Sequence, residues 1–339
     1  MDKVITLTGA FKNAGDYLIG HRARALLAAH VNAEVIDVNR REITDESYEL
    51  FNSARAVLLT GGPAYQEEIY PKVYGIDLSR INVPVMAYGL GWKGKLGQQP
   101  QDFRFSPAAT NFVQAIHADA SRFSSARDHL TVSMLAANGV NNVQMTGCPA
   151  WYDETKLEQD YVFNPDIKRL VLSMPAVPQK QIPAIIRKLA KEFPKAERFI
   201  SFQAGMRSSH PYWGQKYTEW NHKQLAYGRK HGFTPLDFES DFNSFQLFMS
   251  AVDFHVGYRV HSHIYTLSQR KTSMLIAEDS RGMGQVAAMG GTALSSLDSK
   301  RAIKRGIDEL FDTRGASVEA AVRTMQGTHP KMLEFLAQI

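Results

Sequence analysis

The sequence predicts an α/β fold made of two similar halves, each with its own parallel sheet. Short apolar runs rich in β-branched residues alternate with stretches of helical periodicity, and glycine or other turn residues follow most of the runs. The pattern then restarts after a polar connection at residues 151–168. A chain of 339 residues also favours two domains over one. We therefore expect two facing Rossmann-like domains, at residues 1–160 and 165–339, and a helical C-terminal tail.

The first half contains six expected strands, and a helix follows the first of them. Leu18, Leu26 and Ala29 recur at helical spacing, and Asp16 is a candidate N-cap for that helix. The expected strands are 4–8, 33–38, 56–60, 84–88, 122–126 and 142–146.

The second half repeats this alternation and ends in helices from about residue 301. The expected strands are 170–173, 198–202, 235–238, 254–258 and 273–277. Because ligands of parallel α/β sheets sit beyond the carboxyl ends of the strands, the residues that follow these runs are the candidate site residues.

Composition restricts the classes of partner. The formal net charge of +5 is scattered and no basic run is present, so we expect no nucleic acid and only a leaning toward acidic substrates or an anionic membrane surface. The N-terminus lacks a signal-peptide pattern, and no apolar run is long enough to span a membrane. The single cysteine, Cys148, cannot form an internal disulfide, and we interpret it as a small core residue. A cytoplasmic setting is expected.

The strongest candidate site follows the run at 254–258, where Arg259, His261 and His263 come in quick succession. If a helix begins at residue 260, Arg259 and His263 share a face; if the strand continues, all three side chains share one. The residue types suit an anion or proton-transfer site, although packed histidines are an alternative. A metal site is the weakest alternative, because His-x-His lacks an assured third ligand. His255, inside the run, is expected to be packed.

Other strand ends carry weaker signals. Asn13, Gly15 and Asp16 form a turn that either faces a ligand or only shapes the chain and caps a helix. Gly61 and Gly62 either let the backbone approach a ligand closely or only form a tight turn. Arg127 either binds an anion or pairs with Asp128 at the surface. The first turn is not the GxGxxG dinucleotide pattern, so no nicotinamide cofactor is expected.

Taken in order, these stretches resemble the polysaccharide pyruvyl transferase family, from Asn13 to about Gly284. The segments that carry the resemblance are Asn13-Ala-Gly-Asp16, Thr60-Gly-Gly-Pro63, Tyr88-Gly-Leu-Gly91, Ser125-Ala-Arg-Asp128, Thr146-Gly-Cys-Pro149 and Gly257-Tyr-Arg-Val-His261. There are three departures: Cys148 stands where members often have Asp, Val260 where they have Leu, and residues 278–281 replace a Tyr-Asp-Lys turn.

The resemblance implies a GT-B-like fold and the transfer of pyruvate from phosphoenolpyruvate to two hydroxyls of a sugar, in the biosynthesis of exopolysaccharide or another cell-envelope polysaccharide. By similarity, Arg259 and His261 match the family's donor-site motif. Because a histidine with a pKa near neutrality can give or accept a proton, we assign the catalytic proton transfer to His261, with Asp16 as its partner, and expect no metal or cofactor. Arginines are the expected clamps for the donor's carboxylate and phosphate, with Arg259 first. The expected substrate-binding residues are Arg259, Asn13, Gly15, Gly61, Gly62, Arg127, Arg207, His263, Ser280 and Arg281.

The expected partners are phosphoenolpyruvate and a saccharide acceptor, free or lipid-linked; a lipid-linked acceptor would bring the protein to the inner membrane surface. We assign the acceptor to the first domain and the donor to the second, with loops 94–105 and 208–218 as candidate acceptor loops. Two other functions stay open. A glycosyltransferase of the same architecture would use a nucleotide sugar, with Glu278 or Asp279 as its carboxylate. A non-catalytic relative would bind a sugar or anion only.

Overall fold

The first half of the molecule contains one parallel sheet with helices on both faces. The structure is a computed structural model that describes residues 2–207, 212–290 and 294–339. Strands β1–β4 form a sheet of order β2-β1-β3-β4, and β5 pairs with β6 beside it, through a bridge between Leu90 and Ala126. The elements are β1 (Lys3–Thr8), α1 (Ala14–His30), β2 (Glu34–Asn39), α2 (Asp45–Asn52), β3 (Ala56–Thr60), β4 (Val85–Tyr88), α3 (Pro107–Ile116), β5 (Ser124–Ala126), α4 (His129–Ala137) and β6 (Val143–Met145).

The second half contains a six-stranded parallel sheet of order β12-β11-β10-β7-β8-β9. Its elements are β7 (Arg169–Ser173), α5 (Ile182–Glu192), β8 (Glu197–Phe202), α6 (Gly214–Lys230), β9 (Phe233–Asp237), α7 (Phe242–Ser250), β10 (Phe254–Gly257), α8 (Val260–Ser268), β11 (Thr272–Ala277), α9 (Ser280–Met289), β12 (Leu294–Ser295), α10 (Lys300–Asp312) and α11 (Ala316–Leu336).

Burial explains why these segments form these elements. All five residues of β3 and all six of β11 are buried, as expected of strands covered by helices on both faces. In α10 the buried residues are Ile303, Ile307 and Leu310, whose spacing of four and three places them on one helical stripe. The central strands are therefore buried on both faces, whereas α10 buries a single apolar stripe.

The carboxyl ends of the two sheets face each other and are tied by hydrogen bonds. The Ala14 N–H donates to the Gln203 carbonyl at 2.9 Å, and the Gly94 N–H donates to the Ser280 hydroxyl at 2.6 Å. At the C-terminus, Phe335 in α11 stacks on Tyr88 with ring centroids 5.3 Å apart. The last helix thus packs against the first half. The limits proposed for the two domains stay predictions.

Most of the expected strands are confirmed within one or two residues at each end, and β3 is confirmed at both ends. The assignment of Asp16 as the N-cap of α1 was wrong. Asn13 caps that helix, because its extended backbone lets its side-chain oxygen accept the Gly15 N–H at 3.1 Å. Helices α2 and α3 were not predicted. Within the described ranges, no helix is long and apolar enough to cross a membrane.

Candidate functional site

A narrow cleft of about 40 Å³ lies where the carboxyl ends of the two sheets meet. Larger cavities of about 220, 300 and 670 Å³ lie elsewhere in the described part of the chain. The lining residues from the first half are Asn13, Gly15, Asp16, Pro63 and Arg127; those from the second half are Gln203, Tyr258, Arg259, Val260, His261, Glu278 and Arg281.

The N-terminus of α1 supplies the first wall. Gly15 packs so closely on His261 that a Cβ at this position would lie 2.6 Å from the His261 Nδ1. Glycine is therefore required for the close approach, and Asp16 follows it in the first turn. The first N–H groups of α1 are already paired, because Ala14 donates to the Gln203 carbonyl, Gly15 to the Asn13 side chain and Asp16 to the Asn13 carbonyl. Any attraction of this wall for an anion therefore comes from the helix dipole rather than from unpaired N–H groups.

His261 lies in the first turn of α8 and is neutral. Burial, helped by the positive charges of Arg127 and Arg281, lowers the pKa of His261 to about 3, so the near-neutral pKa expected from the sequence was wrong. The His261 Nε2 is buried and makes no hydrogen bond with the described residues. A neutral imidazole nitrogen that is unpartnered in a cleft can accept or donate one hydrogen bond to a ligand.

The pKa of Asp16 is shifted in the opposite direction to that of His261. Burial raises the pKa of the Asp16 carboxyl, while Arg281, Arg40 and a hydrogen bond with Asn13 oppose that rise. A bound anion would add negative charge and raise this pKa further. Two titratable groups in one cleft, with pKa values shifted in opposite directions, are the arrangement that acid–base chemistry uses.

Three guanidinium groups line the same cleft. Arg259 is the N-cap of α8, and its Nε and Nη2 donate to the carbonyls of Met174 and Pro175 at 2.7 and 3.2 Å. Arg127, only 2% exposed, donates from Nη2 to the Trp92 carbonyl at 3.2 Å and from Nε to its neighbour Asp128. These contacts hold each side chain by one edge of its guanidinium.

Arg281 is held in the same way, by both carboxylate oxygens of Asp279 at 2.8 and 3.0 Å from its Nε. Within the described residues, the Nη1 groups of Arg127 and Arg281 make no hydrogen bond. Donors that are preorganised but unpaired are what a carboxylate or phosphate ligand needs.

Four lining residues were not assigned to this site from the sequence: Pro63, Gln203, Tyr258 and Val260. Gln203 is buried, and its side chain donates to the Ser262 hydroxyl at 2.8 Å, leaving Oε1 unpartnered. Gln203 directly follows the expected strand 198–202, so its place at a strand end was the signal that could have found it, although no motif marks a glutamine there. Tyr258 lies inside the segment that carries the family resemblance. Its hydroxyl is buried without a hydrogen-bond partner among the described residues, and burial raises its pKa.

Glu278 also lines the cleft, and its carboxylate is already engaged. It accepts the Ala176 N–H at 2.9 Å and the Val177 N–H at 3.4 Å. Burial raises the pKa of Glu278, and the nearby Arg259 opposes that effect.

The structure places His263 outside the cleft. Its Nδ1 lies 2.7 Å from the Ser273 hydroxyl, which also contacts buried His255, and burial lowers the His263 pKa to about 3. The expectation that a helix from residue 260 would put Arg259 and His263 on one face was wrong. Arg259 is the extended N-cap, so helical spacing does not govern its direction, whereas His261 and His263 lie about 200° apart around α8.

Ser280, Gly61, Gly62 and Arg207 are likewise not among the lining residues. The Ser280 hydroxyl ties the two halves together by accepting the Gly94 N–H. Gly61, with φ +59, forms a tight turn whose Cβ would lie 2.0 Å from Ile19, and Gly62, with φ +79, continues that turn toward Pro63. Arg207 is exposed.

Three further sequence-based assignments concern Cys148 and the acceptor loops. Cys148 is a buried core residue, and burial raises the pKa of its thiol to about 11. In the 208–218 loop, residues 208–211 lie outside the described residues, while Tyr212 and Trp213 are exposed. Neither the described part of that loop, residues 212–218, nor the 94–105 loop contributes a lining residue to the cleft.

Solved structures with the same architecture cover nearly the whole chain. S. aureus MnaA in a co-structure with UDP shares 15% identity, with 95% of this chain and 91% of that chain covered and a TM-score of 0.58. UDP-GlcNAc 2-epimerase from Neisseria meningitidis, bound to UDP-GlcNAc, shares 14% identity, with 99% and 100% covered and a TM-score of 0.56. Anabaena Alr3699/HepE with UDP and glucose shares 12%, with both chains fully covered and a TM-score of 0.53.

These likenesses and the two facing parallel sheets define a GT-B-like α/β protein, as the sequence predicts. No curated protein sequence matches the chain significantly. The family model for polysaccharide pyruvyl transferases matches residues 13–280. The chain belongs to the polysaccharide pyruvyl transferase family, which is a family of transferases.

Proposed function

We propose that this protein transfers pyruvate from phosphoenolpyruvate to two hydroxyls of a saccharide, forming a cyclic ketal and releasing phosphate. The observation that carries the proposal is the grouping of Arg127, Arg259 and Arg281 around His261 and Asp16 in one cleft. Phosphoenolpyruvate carries a carboxylate and a phosphate, and arginine is the side chain best suited to hold both kinds of anion. Family membership supports the same reaction class.

The two titratable groups divide the proton transfers. The Asp16 carboxyl, with its raised pKa, delivers a proton to the methylene carbon of the donor, which turns the adjacent carbon into an oxocarbenium-like centre. The negative charge of the bound donor raises the pKa of neutral His261 from its low value of about 3, so that His261 accepts the proton of the first sugar hydroxyl as its oxygen bonds to that carbon. The bond to the phosphate oxygen then breaks and the second hydroxyl bonds in its place, with its proton leaving on the phosphate. The arginines stabilise the departing phosphate.

This chemistry requires neither a metal nor a cofactor, because protonation of the enol ether activates the reacting carbon. The acceptor is a sugar of a polysaccharide or of its precursor, free or lipid-linked, on the side of the cleft formed by the first half. A lipid-linked acceptor would place the reaction at the cytoplasmic surface of the inner membrane.

A glycosyltransferase reaction with a nucleotide sugar is the second candidate, because MnaA and HepE of the same fold were solved with UDP. Such a reaction would use Glu278 or Asp279 for the nucleotide or as a base. Both carboxylates are already committed, Glu278 to backbone N–H groups and Asp279 to Arg281. This favours phosphoenolpyruvate over a nucleotide sugar.

Calorimetric titration tests the donor. Phosphoenolpyruvate should bind the wild-type protein, and Arg259→Ala should weaken binding about 10- to 100-fold, because lost hydrogen bonds to a charged group are worth about 1.5–3 kcal/mol. Arg301→Ala, which removes an exposed arginine from α10, is the matched control and should bind as wild type.

Two outcomes would overturn the proposal. Binding of UDP without binding of phosphoenolpyruvate would identify a glycosyltransferase. Binding of phosphoenolpyruvate with no phosphate release in the presence of saccharide acceptors would identify a non-catalytic relative.

A further inference from the structure

Three side chains far apart in sequence converge outside the cleft. His30 ends α1, Glu154 lies in the connection between the halves, and His329 lies in α11. None of the three lines the cleft. The fold therefore brings together one residue from the first half, one from the connection and one from the final helix.

The geometry of the three groups suits a single ion. The Glu154 Oε1 lies 2.7 Å from the His30 Nε2 and 3.2 Å from the His329 Nε2, and all three ligand atoms lie within 4.8 Å of one another. Ligands of a tetrahedral ion with bonds of about 2.0–2.1 Å are separated by about 3.3 Å. Small movements of the partly exposed His30 and Glu154 side chains would therefore complete a three-ligand site.

The surroundings hold two of the ligands in place. Trp151, Tyr152 and Asp153, which precede Glu154, are buried, and Asp153 pairs with Arg22 at 2.5 Å. The His329 ring packs on Tyr152 with centroids 5.0 Å apart. A ligand set whose backbone is anchored in this way loses little conformational freedom on binding an ion.

The His329 Nε2 provides an independent observation. It is buried and makes no well-aligned hydrogen bond with the described residues, although it points at Glu154. A buried nitrogen that lacks an aligned partner and faces a carboxylate is a group that an ion would satisfy.

We propose that His30, Glu154 and His329 form a binding site for a divalent transition metal such as Zn²⁺, which links α1, the connection and α11. Two imidazoles and one carboxylate suit Zn²⁺, Co²⁺ or Ni²⁺, whereas Mg²⁺ prefers oxygen ligands. With three protein ligands, a fourth position is left for water.

Calorimetry with ZnCl₂ and untagged, metal-stripped protein tests the site. The wild type should bind one ion and gain thermal stability, since a ligand of the folded state raises Tm. Glu154→Gln and His329→Ala should each weaken binding about tenfold or more, because each removes one of three ligands. MgCl₂ should give no such response.

His222→Ala is the matched control, because His222 is an exposed histidine on α6. It should bind Zn²⁺ as wild type does. Wild-type protein that binds no Zn²⁺ near neutral pH, or Glu154→Gln and His329→Ala variants that bind as well as His222→Ala, would overturn the proposal. Circular dichroism of the variants identifies any that fail to fold, and His30→Ala, which changes an exposed residue, provides a second variant for that case.

Discussion

At the scale of single residues, the cleft contains charged groups that are buried. Arg127 is almost fully buried, yet its position against Gly91 and its contacts with Trp92 and Asp128 keep one edge of its guanidinium unpaired. The same arginine helps to keep His261 neutral. An anion entering the cleft would relieve this unbalanced positive charge and raise the pKa values of both His261 and Asp16.

The roles of His261 and Asp16 lead to a kinetic prediction. His261→Ala and Asp16→Asn should each lower kcat about 10²- to 10⁴-fold, the usual contribution of a positioned acid or base, while phosphoenolpyruvate still binds. Because Asp16 must be protonated to act as an acid, wild-type activity should fall as the pH rises through its raised pKa, and Asp16→Asn should lack this decline. Steady-state rates of phosphate release between pH 5 and 9 measure both effects.

His222→Ala, on the surface of α6, serves as the control and should keep wild-type kcat. Near-normal turnover by His261→Ala would remove His261 from the centre of the mechanism.

At the scale of elements, a strand or helix could be predicted when its own residues carry a clear apolar pattern. Both ends of β3 were predicted correctly because its five residues form one continuous buried run. Helix α2 was missed because it buries only Tyr48 and Phe51, so its apolar pattern is weak. The N-cap of α1 was placed at the wrong residue because Asn13 and Asp16 both have capping side chains, and only the backbone conformation distinguishes them.

The packing of α1 against α8 gives a prediction for Gly15. Gly15→Ala would place a methyl group within 2.6–2.9 Å of the His261 side chain, so the N-terminus of α1 must move away from the cleft. We expect catalytic efficiency to fall about tenfold or more, since a displacement of about 1 Å at a reacting group has large effects on rate. Steady-state kinetics and thermal unfolding measure the two consequences separately.

Gly20→Ala, in the same helix, is the matched control. Its Cβ would meet only the end of the flexible Arg24 side chain at 3.3 Å and a methyl group of Thr8 at 3.4 Å, so this change should leave activity intact. Equal activity of the two variants would contradict a role for the close contact between Gly15 and His261.

At the scale of the whole molecule, the site depends on contacts between residues that lie far apart in the sequence. The strand ends could be predicted to carry Asn13, Asp16, Arg127, Arg259, His261 and Arg281, and the fold brings these together. The sequence could not show that Gly15 touches His261 or that Ser280 ties to Gly94, because each pair joins the two halves. The convergence of His30, Glu154 and His329 was hidden for the same reason.

The buried histidines also make stability depend on pH. Burial lowers the pKa of His117 to about 4 and those of His261 and His263 to about 3, and lowers that of His255 well below its usual value. Below about pH 6.5 the unfolded chain binds protons that the folded protein excludes, so the free energy of unfolding falls as the pH falls from about 6.5 toward 4. The raised pKa values of Asp16 and Glu278 act in the opposite direction.

His117 is the best histidine for testing this effect, because it lies outside the cleft and contacts the Tyr65 hydroxyl at 3.0 Å. In His117→Gln, the slope of the unfolding free energy against pH between 6 and 5 should decrease by about 1 kcal/mol per pH unit, since one buried group no longer contributes its 2.303RT. Urea unfolding at several pH values measures the slope, and His222→Gln should leave it unchanged because His222 is exposed. An unchanged slope in His117→Gln would show that His117 takes up its proton equally in the folded and unfolded states.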